Sequence, residues 1–338
     1  MSARDERPIA RALLHHVLTH PSASLGRELG ATRLRLGLDL LAVVFGSLRD
    51  ALMVDYAPKM TPPAAVELLA SLRRVPGCER RARMLDVHLV DGVILLANSR
   101  AVLERLRAMD DPEASEPLFF DASDGASGRK LDRAAMRGEI AHAATAFKTP
   151  KDDEDVRVYD WTEAILKASG GGGGGWGRVG DGLGTGWGRG GDGLEGEKRM
   201  DSISTSSDAT PPSPTMTGLL LGYPVVYAWS PADDLDGAAR RLSLMELTTF
   251  KLSAVVDVGT TKEGAASASK ENGENNRHVI SQYTVPVAET DEEQGVAEHA
   301  IAVRKHYKEL MNNCEKSGGV WWEWKIDVER RPLGGVAL

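Results

Sequence analysis

Three acids close apolar runs in this chain. Asp55 follows Leu52-Met53-Val54, Asp121 follows Leu118-Phe119-Phe120, and Asp160 follows Val158-Tyr159, with Asp124 adding a second carboxylate near Asp121. Carboxylates at the carboxyl ends of sheet strands can converge on Mg²⁺, which then activates water or holds a phosphate ester. Asp55, Asp121 and Asp124 are therefore the catalytic candidates of a metal-assisted hydrolase or phosphoesterase. The competing account is that a strand-terminal Asp caps the turn or helix that follows it. That account needs no ion, and it is the leading expectation: no cofactor, with Mg²⁺ belonging to the alternative alone.

The other chemistry-bearing residues are weighed in the same way. His16 and His20 stand four apart on a helix, the spacing of a metal pair, but the sequence offers no third ligand nearby. Val255-Val256-Asp257-Val258-Gly259-Thr260-Thr261 resembles the phosphate turn of actin-like ATPases, yet no second copy of it follows. A strand ending in a Gly/Thr turn accounts for it better. Trp322 and Trp324 alternate as core residues of a final strand before they can floor a ligand pocket. The candidate binding residues are Tyr56, Gly222, Tyr223 and Tyr227: at Gly222 the backbone admits close approach, although a packed helix–strand corner would need the same residues.

Composition bounds what such residues can serve. The 338 residues are 42% hydrophobic and 27% charged, enough for a sizeable core, and the formal net charge is −8. An acidic chain without clustered Lys and Arg argues against nucleic acid as a partner. Cys78 and Cys314, far apart, make neither a disulfide framework nor a zinc signature. No apolar run reaches signal-peptide length or the roughly 18 residues of a membrane span. The expectation is a soluble cytoplasmic protein, with the nucleus as the other compartment and no membrane partner.

One segment stands apart. Of 36 glycines, 16 fall within residues 170–196, which leaves the remainder with ordinary glycine content. Gly175-Trp176-Gly177-Arg178 recurs as Gly186-Trp187-Gly188-Arg189, and a Ser/Thr/Pro stretch follows. So little apolar surface cannot offset ordering entropy, so residues 169–215 are expected to be a disordered insertion. Residues 1–168 and 216–338 then form the two halves of one domain.

Both halves alternate helices with strands. Leu34, Leu38, Leu41, Phe45 and Leu48 form one helical stripe. Thr61 before Pro62-Pro63 is a helix cap, and Ser99 is expected to cap the helix carrying Val102, Leu106 and Met109. Leu85, Val87 and Leu89 share a strand face, and Asp91-Gly92 turns that strand into Val93–Leu96. Downstream, Pro224–Trp229, Phe250–Val258 and Val279–Val287 read as strands, with an acidic-first-turn helix opening at Ser230. Val296, Ala300, Val303, Tyr307, Leu310 and Cys314 recur at helical spacing, and Trp322, Trp324, Ile326 and Val328 form the inward face of the last strand. The fold class is α/β, mixed and α+β-like: one mixed parallel/antiparallel sheet flanked by helices, with the Asp55 strand and the Pro224–Trp229 strand close neighbours.

Leu52-Met53-Val54-Asp55-Tyr56, Leu220-Leu221-Gly222-Tyr223-Pro224-Val225-Val226-Tyr227, Thr284-Val285-Pro286-Val287 and the terminal Gly335-Val336-Ala337-Leu338 occur in an order that resembles uncharacterised protein family 0739. These are the proteins related to a human open reading frame on chromosome one. The likeness covers nearly the whole chain apart from the insertion, and it implies no activity. Arg240-Arg241-Leu242-Ser243 stands where the family's pattern has an Asn-Cys pair, so no cysteine nucleophile is carried over. The expected function is that of a module binding another protein or a small molecule, without demonstrable catalysis. The metal-dependent hydrolase is the alternative.

Overall fold

The computed structural model describes residues 6–20, 30–45, 48–57, 60–90, 92–109, 117–121, 129–131, 136, 140–141, 144, 155–161, 213–228, 247–256, 277–286, 294–316 and 320–331. Helices and strands mix throughout. The helices are α1 (Arg7–Thr19), α2 (Gly30–Val44), α3 (Pro62–Leu72), α4 (Glu79–Ala82), α5 (Ser99–Ala108), α6 (Ser213–Leu221) and α7 (Gln294–Lys316). The strands are β1 (Ala51–Met53), β2 (Leu85–Val90), β3 (Val93–Asn98), β4 (Leu118–Asp121), β5 (Arg129–Leu131), β6 (Val158–Asp160), β7 (Val225–Ala228), β8 (Leu247–Val256), β9 (Arg277–Pro286) and β10 (Trp321–Arg331).

Among the described residues the strands fall into three sheets, ordered β1-β3-β2-β6, β5-β4-β7 and β10-β8-β9, rather than one. The first two mix parallel and antiparallel pairs; the third is antiparallel. Strand length gives the physical reason for the division. Strands of 10 or 11 residues, such as β8 and β10, pair fully only with one another; beside β1 or β7 most of their backbone donors would go unsatisfied. The expected neighbourhood of β1 and β7 is corrected accordingly. They belong to different sheets, and α6 packs on both.

The β1-β3-β2-β6 sheet separates two apolar layers. Leu52, Leu85, Val87, Ile94 and Leu96 face the layer built with α1, α2 and α3; Ala51, Val90, Leu95 and Ala97 face the one built with α5 and α6. Leu85, Val87 and Leu89 do share a face, as alternation requires. The opposite face is buried too, which alternation with Asp86 and His88 concealed. The two-residue hairpin at Asp91-Gly92 sets Val90 opposite Val93, with Gly92 at φ 77°.

Three local expectations are corrected. The α5 cap is Asn98, whose side chain accepts from the Ala101 amide at 3.1 Å, while Ser99 is already helical. In α2, Leu34 is exposed and the buried apolar set is Leu36, Leu40, Leu41, Ala42, Val43, Val44 and Phe45, because the helix meets α1, β1 and β9 on several sides. In β10 Trp324 and Ile326 pack against the core as expected, but Trp321 is buried and Val328 is exposed. A bulge between Trp322 and Lys325, with Glu323 at φ 48°, inverts the alternation there. Helix α6 begins at Ser213, inside the segment 169–215, and Thr215 is buried, its hydroxyl donating to the Tyr227 carbonyl at 2.7 Å. The expected helix at Ser230 lies outside the described residues.

Candidate functional site

A single acid interrupts the apolar run Leu36–Phe45: Asp39, buried in the middle of α2. Its carboxylate accepts hydrogen bonds from Tyr56 Oη at 2.6 Å, from His278 Nε2 at 2.9 Å and from Arg49 Nη1 at 3.2 Å. Burial alone would raise its pKa, but the His278 hydrogen bond and the Arg49 charge outweigh burial and hold the carboxyl below its ordinary range. Arg35, one helical turn before Asp39, lays its guanidinium over the Tyr56 ring at 3.7 Å from the centroid. Burial, then the Asp39 charge, push the Tyr56 phenol upward, so it remains a donor.

The third sheet supplies the rest of this constellation, through a bulge. On β8, Phe250, Leu252 and Ala254 point to the core, and their β9 partners are Tyr283, Ser281 and His278. His278 and Tyr283 are five residues apart, so a regular strand would place them on opposite faces. The register slips between Leu252 and Ser253, taking up Ile280 as the extra residue, and returns both to one face. Tyr283 stacks on Phe250 at 5.5 Å and stands 6.0 Å from the Tyr307 ring of α7 and 6.2 Å from the Tyr223 ring.

Two hydroxyls of this cluster are poorly satisfied. Tyr283 Oη and Tyr307 Oη are fully shielded, and neither makes a hydrogen bond of ordinary geometry, although they approach each other and Ser281. Burial pushes both phenols upward, so both present O–H groups at neutral pH. Leaving such a donor unsatisfied costs about 1–3 kcal/mol. The Arg49 charge acts on both Tyr223 and Tyr307, and among the described residues its hydrogen bond to Asp39 uses one of its five N–H groups.

The sequence candidates fare unequally. Tyr56 and Tyr223 join the cluster. Gly222 serves the corner before it: at φ 68° it ends α6, with the Tyr223 amide donating to the Gly218 carbonyl at 3.0 Å. Tyr227 is committed to structure, its hydroxyl donating to the Thr284 carbonyl at 2.7 Å. Asp55 is exposed in the turn after β1, close enough for its charge to act on Tyr223. Asp121 ends β4 opposite Ala228 and Arg129, in another sheet; its side chain and Asp124 lie outside the description. Among the described residues no three His, Cys, Asp or Glu side chains converge as a metal site. His16 bonds Ser71 at 2.8 Å. The Val255–Thr261 turn lies outside the described residues from Asp257 onward.

Sequence reading missed Asp39, Arg49, His278, Tyr283 and Tyr307. The lone acid in an apolar helical run was a usable signal for Asp39. The bulge that gathers His278 and Tyr283 left none.

A second buried polar knot is structural. His88, fully buried, stacks on Tyr159 at 4.7 Å, receives the Trp161 indole N–H on Nδ1 at 3.0 Å and lies 3.0 Å from Ser99 Oγ through Nε2. The indole fixes the tautomer: Nδ1 is the acceptor, so Nε2 carries the proton and donates to Ser99. Burial depresses the imidazole to about 3. Beside it, the buried Asp86 carboxylate holds Arg157 at 2.6 Å. Cys78 is buried and its thiol is pushed up to about 11 by burial, which makes it an inert core residue.

The chain belongs to the family described as a domain of unknown function, DUF4504, whose model matches residues 27–269. No curated protein and no solved structure matches it. The match takes in Asp39, Arg49, Tyr56 and Tyr223; His278, Tyr283 and Tyr307 follow it in the chain.

Proposed function

We propose that this protein is a non-catalytic binding module whose ligand is a small molecule, taken up where Arg49, Tyr56 and Tyr223 meet Tyr283 and Tyr307. One observation carries this: two buried phenols, Tyr283 and Tyr307, stand together with hydroxyls that make no hydrogen bond of ordinary geometry, within the field of the Arg49 charge. Folded proteins satisfy nearly all buried polar groups, and the costly exceptions concentrate at functional sites. A ligand acceptor would complete the pair. The module works inside the cell, in cytoplasm or nucleus, in keeping with two buried free cysteines. Its finer kinship is to uncharacterised protein family 0739, on the strength of the Gly222-Tyr223-Pro224 corner and the motifs around it.

The test is the Tyr283→Phe/Tyr307→Phe double variant, screened by thermal shift beside the parent against a library of small metabolites. Without ligand the variant is expected to melt at or above the parent temperature, because it buries two fewer unsatisfied hydroxyls. Compounds that stabilise the parent are expected to lose their effect on the variant. A library without effect on the parent, or with equal effect on both proteins, overturns the proposal.

A further inference from the structure

We infer that β6 is an acid-released edge strand: its hold on β2 runs through a latch, His88 to Trp161, that a proton on the imidazole undoes. Strand β6 has three residues and stands last in its sheet among the described residues. It pairs in parallel with β2, which sets Tyr159 beside His88. Two backbone bonds frame the pairing, from the Val87 amide to the Arg157 carbonyl at 2.9 Å and from the Trp161 amide to the Leu89 carbonyl at 2.8 Å. So short a pairing is not stable by itself, and side chains must hold it. Asp86 grips its start, accepting from the Arg157 guanidinium at 2.6 Å and from the Arg157 amide at 3.2 Å. His88 grips its end, where Nδ1 accepts the Trp161 indole N–H at 3.0 Å.

The latch works in one protonation state. Neutral His88 offers Nδ1 as an acceptor to Trp161 and its Nε2–H as a donor to Ser99. The imidazolium carries a proton on both nitrogens, so the Ser99 bond survives while two N–H donors face each other at Trp161. The surroundings oppose the charge as well. Burial and then the Arg157 charge depress the imidazole to about 3. Asp86, on the same strand, already holds Arg157, and Asp155 and Asp160 beside β6 are exposed. Strand β3 and helix α6 carry no ionisable side chain. On α5, Arg100 and Glu104 pair at the surface, Arg105 holds Asp50, and Arg107 is exposed.

Once β6 is released, His88 meets water and titrates near its ordinary 6.5. Above that pH both forms are neutral and the latch is intact. Between 6.5 and about 3 the open form takes a proton that the closed form refuses, so acid favours opening. The opening constant is expected to rise about 25-fold from pH 7 to pH 5. Release uncovers the β2 edge together with the Tyr159 and Trp161 rings, which are otherwise buried.

The experiment is hydrogen exchange followed by NMR on the full chain at pH 7, 6 and 5, each rate corrected for that of an unstructured amide. The Val87 and Trp161 amides are expected to exchange faster than those of β3, which lies between β1 and β2, through an opening that low urea barely changes. That opening should show the rise with acid, and His88→Gln should remove most of it. Trp161→Phe deletes the indole donor, so at pH 7 it should raise the Val87 opening about tenfold or more while β3 amides change less. This variant keeps the test decisive if His88→Gln does not fold. Val87 and Trp161 amides that share the rates and urea dependence of β3 would mean that β6 leaves only with global unfolding, and would overturn the latch. An opening constant that stays level from pH 7 to pH 5 overturns it too. So does a rise that persists in His88→Gln, or a Val87 opening that Trp161→Phe leaves unchanged.

Discussion

At the scale of single residues, Asp39 is where sequence and site meet most sharply. A carboxylate buried in a helix survives only because three donors surround it, and removing it strands Arg49, His278 and the Tyr56 hydroxyl together. Asp39→Ala is expected to cost about 3–5 kcal/mol in urea unfolding, the range for breaking a buried ion pair from one side. Glu104→Ala, which removes half of an exposed pair with Arg100, should stay within about 0.5 kcal/mol. The Asp39 carboxyl titrates below its ordinary 3.8, so its stabilisation is present above that value and lost as pH falls through the depressed folded pKa. His88 acts in a different window. Between pH 6.5 and about 3 the unfolded chain carries a proton that folded His88 does not, so stability falls on acidification by up to about 1.4 kcal/mol per unit. His88→Gln should flatten that dependence by one proton, read from unfolding midpoints at pH 7, 6 and 5; an unchanged slope would show that His88 is not kept neutral.

At the scale of elements, what could be read in advance was whatever a local rule governs. Thr61 caps α3 through the Ala64 amide, and the Asp91-Gly92 turn sets its hairpin, because caps and two-residue turns depend on a few adjacent residues. In β10 Trp324 and Ile326 pack on the core as alternation predicts, but the faces at the bulges of β9 and β10 were not legible. A bulge depends on what the neighbouring strand needs, and one inserted residue shifts the alternation, which is how Tyr283 joins His278 on one face. The glycine that closes α6 belongs to the legible class, and it carries a graded prediction. Gly92 and Gly222 both sit at positive φ, so alanine at either should cost about 1–2 kcal/mol of backbone strain. At Gly92 nothing lies within 4 Å of the new methyl; at Gly222 the Arg105 guanidinium lies at 3.2 Å. That guanidinium binds Asp50 at 2.6 Å and the Leu220 carbonyl at 3.2 Å, so displacing it loosens a second joint. Thermal melts should therefore rank Gly222→Ala clearly below Gly92→Ala. Equal losses would mean that Arg105 yields without cost.

At the scale of the molecule, the two sides of the segment 169–215 are interleaved. Strand β7 pairs in parallel with β4, setting Val225 opposite Leu118 and Tyr227 opposite Phe120. Arg105 on α5 grips the end of α6, and Asp39 on α2 holds His278 across 239 residues of chain. One apolar layer joins Leu36, Leu40 and Leu52 to Phe250, Tyr283 and Tyr307. Each half contributes residues to that layer. Cut away from residues 1–168, the chain from Ser213 onward would expose the β9 face that α2 covers and leave β7 without the strand it pairs with, a loss of apolar burial at about 25 cal/mol per Å² with unpaired backbone added to it. Fragments 1–168 and 213–338, expressed separately, are therefore expected to lack a cooperative unfolding transition, and mixing them should restore one together with the chemical shifts of Tyr283 and Tyr307. A fragment that melted cooperatively alone would locate a self-sufficient core in one half. The site would then lie at an interface between independent domains, and ligand affinity would depend on how they dock rather than on the packing of a single core.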